Sequence, residues 1–114
     1  MDPAKVARRI YRNEPAFRVL GSEGGWGRYW LAFVAQDVVY LIERDRGHTS
    51  IQVGRTGDVA PDVHDLDYRG AMRDYTEISK QNEHIPALSN ERLDRVLRTL
   101  KARALDIRAA VFAT

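Results

Sequence analysis

Residues 58–67 contain Asp58, Asp62, His64, Asp65 and Asp67, the side-chain types from which calcium, magnesium and zinc sites are built. Their spacing does not make such a site. A calcium loop needs a central glycine and a closing glutamate at set positions, and a zinc-hydrolase helix needs His-Glu-x-x-His; neither pattern occurs. No metal and no cofactor is therefore expected. Two uses of the carboxylates remain. Asp65 or Asp67 can cap a following helix, or the cluster can present an anionic surface that speeds association with a basic partner and repels wrong ones. Tyr68 and Tyr75 stand beside it and supply the aromatic anchors that charge alone lacks. The expected partner-binding set is Asp58, Asp62, Asp65, Asp67, Tyr68, Asp74 and Tyr75.

Catalytic patterns are missing. His48, His64 and His84 fall in three separate predicted loops, so no acid–base pair forms through local spacing. Ser22, Ser50, Ser79 and Ser89 lack a nucleophile elbow, and the glycines Gly21, Gly24, Gly25 and Gly27 neither lead into a helix nor precede a Lys-Ser/Thr pair, as a phosphate loop requires. The chain reads as a binding protein rather than an enzyme. A second chemistry is charge. Arg92, Arg95, Arg98, Lys101, Arg103 and Arg108 could meet phosphates along the last predicted helix, but Glu91, Asp94 and Asp106 interrupt them, so a solvated helix face is favoured over a nucleic-acid site.

These residues must be positioned by one domain, 1–114, since 114 residues support one core and not two. Asp2-Pro3 has the form of an N-cap followed by proline at the first helical position, and Val6, Ala7, Ile10 and Tyr11 recur at helical spacing, which predicts a helix over about 3–12 ended by Asn13-Glu14-Pro15. A short strand over Ala16–Leu20 and a loose glycine-rich hairpin turn follow. Arg28–Val34, Val38–Arg44 and His48–Val53 are rich in β-branched and aromatic residues and predict an antiparallel meander. Met72, Tyr75 and Ile78 predict a helix from about Leu66 to Ser79, which Gly70 weakens. The last helix is predicted from about Asn90 to Phe112. Ser89 would cap it, Leu88 would staple onto Leu93, and Leu93, Val96, Leu97, Leu100, Ala104, Ile107 and Val111 form its apolar stripe. The fold class is α+β: a short N-terminal helix, a four-stranded antiparallel sheet, and two C-terminal helices packed on one face.

The meander is apolar on both faces. Three-residue loops at Ala35-Gln36-Asp37 and Asp45-Arg46-Gly47 would pair Leu31 with Leu41, Phe33 with Val39 and Leu41 with Ile51. Leu31, Phe33, Val39, Leu41, Ile51 and Val53 would then face the core, and the other side would carry Trp30, Ala32, Val34, Val38, Tyr40 and Ile42. A one-residue error in the first loop would swap the faces of the strand Val38–Arg44. With every helix on the core side, Trp30, Tyr40 and Ile42 would form an exposed patch and a second interface, as in a homodimer or a self-associating accessory protein of a phage or mobile element.

The stretch Asp37-Val38-Val39-Tyr40-Leu41-Ile42-Glu43-Arg44-Asp45-Arg46-Gly47, continued by Ile51-Gln52-Val53-Gly54, resembles small immunity proteins of bacterial polymorphic-toxin and contact-dependent-inhibition systems. The similarity covers residues 16–57. It implies a non-enzymatic inhibitor that binds a cognate toxin domain inside the producing cell and covers or distorts its active site; many such toxins are basic nucleases. Composition agrees with a cytoplasmic setting. Hydrophobic residues are 44% and charged residues 30%, and the net charge is +2; the absence of cysteine fits any redox compartment and does not locate the chain. No apolar run reaches the length of a membrane helix, and Met-Asp-Pro-Ala-Lys-Val is too charged to open a signal peptide. The runner-up reading is a small nucleic-acid-binding or regulatory protein using Arg92, Arg95, Arg98 and Lys101.

Overall fold

The computed structural model describes residues 2–25, 28–45, 48–58, 72–75 and 89–113. The order of elements is α1 (Pro3–Ile10), β1 (Arg18–Gly25), β2 (Arg28–Ala35), β3 (Val38–Asp45), β4 (His48–Arg55), β5 (Met72–Asp74), α2 (Ser89–Ala102) and α3 (Ala104–Phe112). The strands form one antiparallel sheet in sequence order. The class is α+β, as the sequence implies, with a fifth strand in addition to the expected four.

Asp2 caps α1 as expected: its Oδ1 accepts the Ala4 N–H at 3.0 Å, and Pro3 occupies the first turn, where its missing N–H leaves no bond unmade. Val6, Ala7 and Ile10 then turn one face of α1 into the core. Arg9 holds α1 to α2 by pairing with Asp94 at 2.9 Å, and Arg98, one turn further along α2, fixes the same carboxylate at 2.6 Å. Lys101 adds a bond to the Ile10 carbonyl at the end of α1.

Both central hairpins are one residue tighter than expected. Ala35 pairs with Val38, and Gln36 and Asp37 take φ of 51° and 64°, the pair of left-handed residues that a type I′ turn requires. Neither is the asparagine or glycine that usually marks such a turn. The tight turn is held from outside, because Arg108 of α3 donates to the Gln36 carbonyl at 3.2 Å and reaches the Asp37 carboxylate at 3.5 Å. At the other hairpin Asp45 pairs with His48, so both lie in the ladder.

The two changes cancel between β2 and β4 but reverse β3. Leu31 pairs with Ile42, Phe33 with Tyr40, and Tyr40 with Val53. The inner face is Leu31, Phe33, Tyr40, Ile42, Ile51 and Val53, and Val39 and Leu41 lie on the outer one, opposite to expectation. Tyr40 and Ile42 are 1% and 0% exposed and belong to the main core, so they form no patch with Trp30. That core is closed by α1, α2 and α3, with Leu93, Val96, Leu97 and Leu100 of α2 fully buried. Tyr11 stacks on Phe17 and Phe33 on Tyr40, with ring centroids 5.0 and 4.9 Å apart.

Three further expectations change. The glycine-rich stretch is no loose turn up to Gly25: β1 runs through Gly21, Ser22, Glu23 and Gly24, after a bulge between Val19 and Gly21. Residues 72–74, expected within a helix, form β5 against β4, and the Tyr75 N–H continues the ladder to the Ile51 carbonyl at 2.7 Å. The rest of the 66–79 helix and the stapling Leu88 lie outside the described residues. The single long C-terminal helix is two. Arg103, at φ −105° and ψ 13°, interrupts it, with its N–H shared between the Thr99 and Leu100 carbonyls. The apolar stripe nevertheless continues through Ala104, Ile107 and Val111.

Candidate partner interface

The outer face of the sheet collects side chains that no helix among the described residues covers. Cross-strand partners share a face, so the ladder gives its layout directly. Arg18, Val34, Val39, Gly54 and Met72 form one rung; Gly21, Ala32, Leu41, Gln52 and Asp74 the next; Glu23, Trp30, Glu43 and Ser50 the third; Gly25, Arg28, Asp45 and His48 the last. The first two rungs are the apolar part. Ala32, Val34, Val39, Leu41 and Met72 are buried together, with Leu20 and Trp30 packed against them.

The last two rungs are polar and acidic. Trp30 is half-buried and sits between Glu23 and Glu43, and its indole Nε1 donates to Glu23 Oε2 at 3.2 Å. The ring also lies over Gly21, where an added Cβ would come within 2.8 Å of the Trp30 Cη2. This close approach explains a glycine mid-strand. Arg28 pairs with Asp45 at 2.8 Å across the hairpin end. A groove of about 370 Å³ opens there, lined by Glu23, Arg28, Tyr29, Trp30, Glu43 and Arg44 among others.

Beneath the groove the inner side holds an unusual pair. Arg44 is 3% exposed, and its one side-chain hydrogen bond among the described residues is to the Thr49 hydroxyl at 3.3 Å. Its cross-strand neighbour Tyr29 is buried with a hydroxyl that has no hydrogen-bond partner among the described residues; burial raises the Tyr29 pKa, and Arg44 and Arg92 nearby work against that rise.

Of the expected partner-binding residues, Asp58, Asp74 and Tyr75 are described, and Asp74 and Tyr75 lie on opposite faces of the sheet. Asp74 is exposed on the outer face and accepts a bond from Gln52 Nε2 at 3.2 Å. Tyr75, the next residue, points to the opposite side, packs against the main core and lies under the Arg103 guanidinium. Asp58 is exposed beyond the end of β4 and pairs with Arg55 at 2.6 Å. Asp62, Asp65, Asp67 and Tyr68 lie outside the described residues. Sequence reasoning missed Glu23, Glu43 and Asp45, since single acids on separate strands show no clustering until the sheet aligns them.

The basic set on the last helices is dispersed too. Arg92 is 1% exposed, Arg98 is tied to Asp94, Lys101 to the Ile10 carbonyl and Arg108 to the Gln36–Asp37 turn. Arg95 remains exposed. Among the described residues no group of three or more histidines and carboxylates could hold a metal ion. His48, the one described histidine, is exposed at the start of β4 rather than in a loop. No described helix is long and apolar enough to cross a membrane.

Neither the protein-family models, nor the curated proteins, nor the solved structures contain a match to this chain.

Proposed function

We propose that this chain is an immunity-type inhibitor that neutralises a cognate bacterial toxin domain inside the producing cell by protein–protein contact, and that the acidic end of the outer sheet face is its contact surface. The observation that carries the reading is the rung Glu23–Trp30–Glu43, a half-buried tryptophan held between two carboxylates beside a groove. Such a rung combines what a partner site needs. Tryptophan supplies a large anchor of low conformational freedom, and the acids around it supply steering toward a basic surface and rejection of acidic ones. Basic toxins such as nucleases fit that charge. The hairpin resemblance over residues 37–54 agrees with this class, and in the sequence Asp62, Asp65 and Asp67 fall between β4 and β5.

The experiment is a titration against the toxin domain encoded by the neighbouring reading frame. Glu23→Lys with Glu43→Lys should slow association at least tenfold in low salt, with the difference shrinking as salt screens the pair, and Trp30→Ala should speed dissociation. Binding unchanged in both variants refutes this surface. If Asp62, Asp65 and Asp67 reversed to Lys weaken binding while these do not, the contact belongs to the acidic connection instead.

A further inference from the structure

The helical side of the molecule carries a second charged surface, of opposite sign, that the inhibitor reading does not use. α1 presents Lys5, Arg8 and Arg9 to solvent, with Arg12 exposed in the turn that follows. Residues three and four apart on a helix are neighbours, so Lys5, Arg8 and Arg9 form a continuous basic stripe. Between α1 and α2 runs a furrow whose central part, about 790 Å³, is lined by Arg9, Asp94, Arg95 and Arg98 with Glu91 and Thr99. Separate depressions adjoin it, one at Asp2, Lys5 and Arg9 and one at Ile10, Arg98 and Lys101. Asp94 is already neutralised by Arg9 and Arg98. Lys5, Arg8, Arg12 and Arg95 have no ion-pair partner among the described residues. These four are free to meet an external anion.

We propose that this surface binds the phosphate backbone of duplex nucleic acid, without reading sequence, through Lys5, Arg8, Arg12 and Arg95. Three observations select that partner. Protein interfaces depend on aromatic or large apolar anchors, and among the described residues the furrow has none; the exposed large apolar residues among those described, Leu105 and Phe112, are on α3. Single strands are held by bases stacked on exposed aromatic rings, and no described aromatic side chain lines the furrow. Guanidinium and ammonium groups on a rigid helix, without apolar contacts, are what sequence-independent phosphate binding uses. The surface is on the other side of the sheet from the proposed toxin contact, so the two proposals fail independently.

The test is fluorescence anisotropy of the full chain with a labelled duplex DNA of about 20 base pairs, titrated with salt. Four phosphate contacts give a log–log salt slope of about −3.6, so affinity should fall about a hundredfold from about 50 to 200 mM salt. Lys5→Glu with Arg8→Glu and Arg12→Glu should weaken binding more than tenfold and flatten the slope to about −1. All three are exposed, so the fold should survive. Arg95→Ala alone, which should lower the slope by about 0.9, serves if it does not. Glu23→Lys with Glu43→Lys should not weaken DNA binding. Absence of duplex binding at low salt, an unchanged slope in both basic-face variants, or tighter binding to a single strand or to polyglutamate than to the duplex would overturn the proposal.

Discussion

The two faces of one sheet are built on different terms. The inner face is closed by three helices over a core that includes Phe33, Tyr40, Ile51, Leu97 and Ile107. The outer face has a smaller buried cluster, Ala32, Val34, Val39, Leu41 and Met72, and then gives way along the same strands to Glu23, Glu43, Asp45 and His48. On the inner side, apart from the buried Arg44 and Arg92, charge lies beyond the helices, where it is mostly basic; on the outer side it stays on the sheet and is mostly acidic. The chain's net +2 hides this division. Near-neutral totals can thus coexist with two surfaces of opposite charge.

The largest expected contrast between the faces is in packing. Leu97→Ala empties a position that is 0% exposed between α2 and the sheet, and should cost about 3–5 kcal/mol. Leu41→Ala, equally buried but in the smaller outer cluster, should cost about 2–3 kcal/mol, because a small cluster can collapse onto the space left. Urea unfolding of both variants measures the difference. Equal losses would mean that the outer cluster is as rigid a core as the inner one.

Gly21→Ala ranks next. Its added methyl would collide with the Trp30 ring at 2.8 Å, and the ring must swing out or the bulge at Leu20 must move. We expect a loss of about 1–2 kcal/mol together with a red-shifted tryptophan emission, as the indole loses Glu23. An unshifted emission would show that the bulge, not the ring, yields. Trp30→Ala should lower the cost of Gly21→Ala to a few tenths of a kcal/mol if the ring is its cause.

The faces also differ in how far they can be read from residues alone. α1 and its cap, the meander, and the apolar stripe from Leu93 to Val111 follow from local pattern, because each depends on periodicity or on a capping side chain. The assignment of Tyr40 and Ile42 to the core does not. It turns on one residue of loop length at Gln36-Asp37, a type I′ turn written without Asn or Gly and stabilised by Arg108, which is more than seventy residues away in sequence. β5 was hidden because Met72 and Tyr75 are spaced three apart, which fits a helical face, whereas their side chains in the structure point to opposite sides of a sheet. The acidic rung was illegible for the same reason as the core: Glu23 and Glu43 become neighbours of Trp30 only through register. By contrast, the basic stripe of α1 is local, and Lys5, Arg8 and Arg9 can be placed together as soon as the helix is recognised.

The smallest expected effect is also the one that separates the basic side's internal ion pairs from its free cations. Asp94 is held below the usual carboxylate value, first by its hydrogen bond from Arg98 and further by Arg9. A carboxylate with a depressed folded-state pKa stabilises the fold above its unfolded value of about 3.9, and that contribution is lost as pH falls through the folded value. Ion pairs this exposed contribute about 0.2–1 kcal/mol each, so Asp94→Asn should lower the thermal midpoint by a few degrees at neutral pH, and the gap to the parent protein should close as pH drops below about 4. The same substitution releases Arg9 and Arg98 into the furrow. It should therefore strengthen duplex binding while it weakens the fold, an opposition that no purely structural role for Asp94 would produce. Parallel losses in stability and in DNA affinity would instead mean that the Arg9–Asp94–Arg98 bridge shapes the furrow rather than occupying its charge.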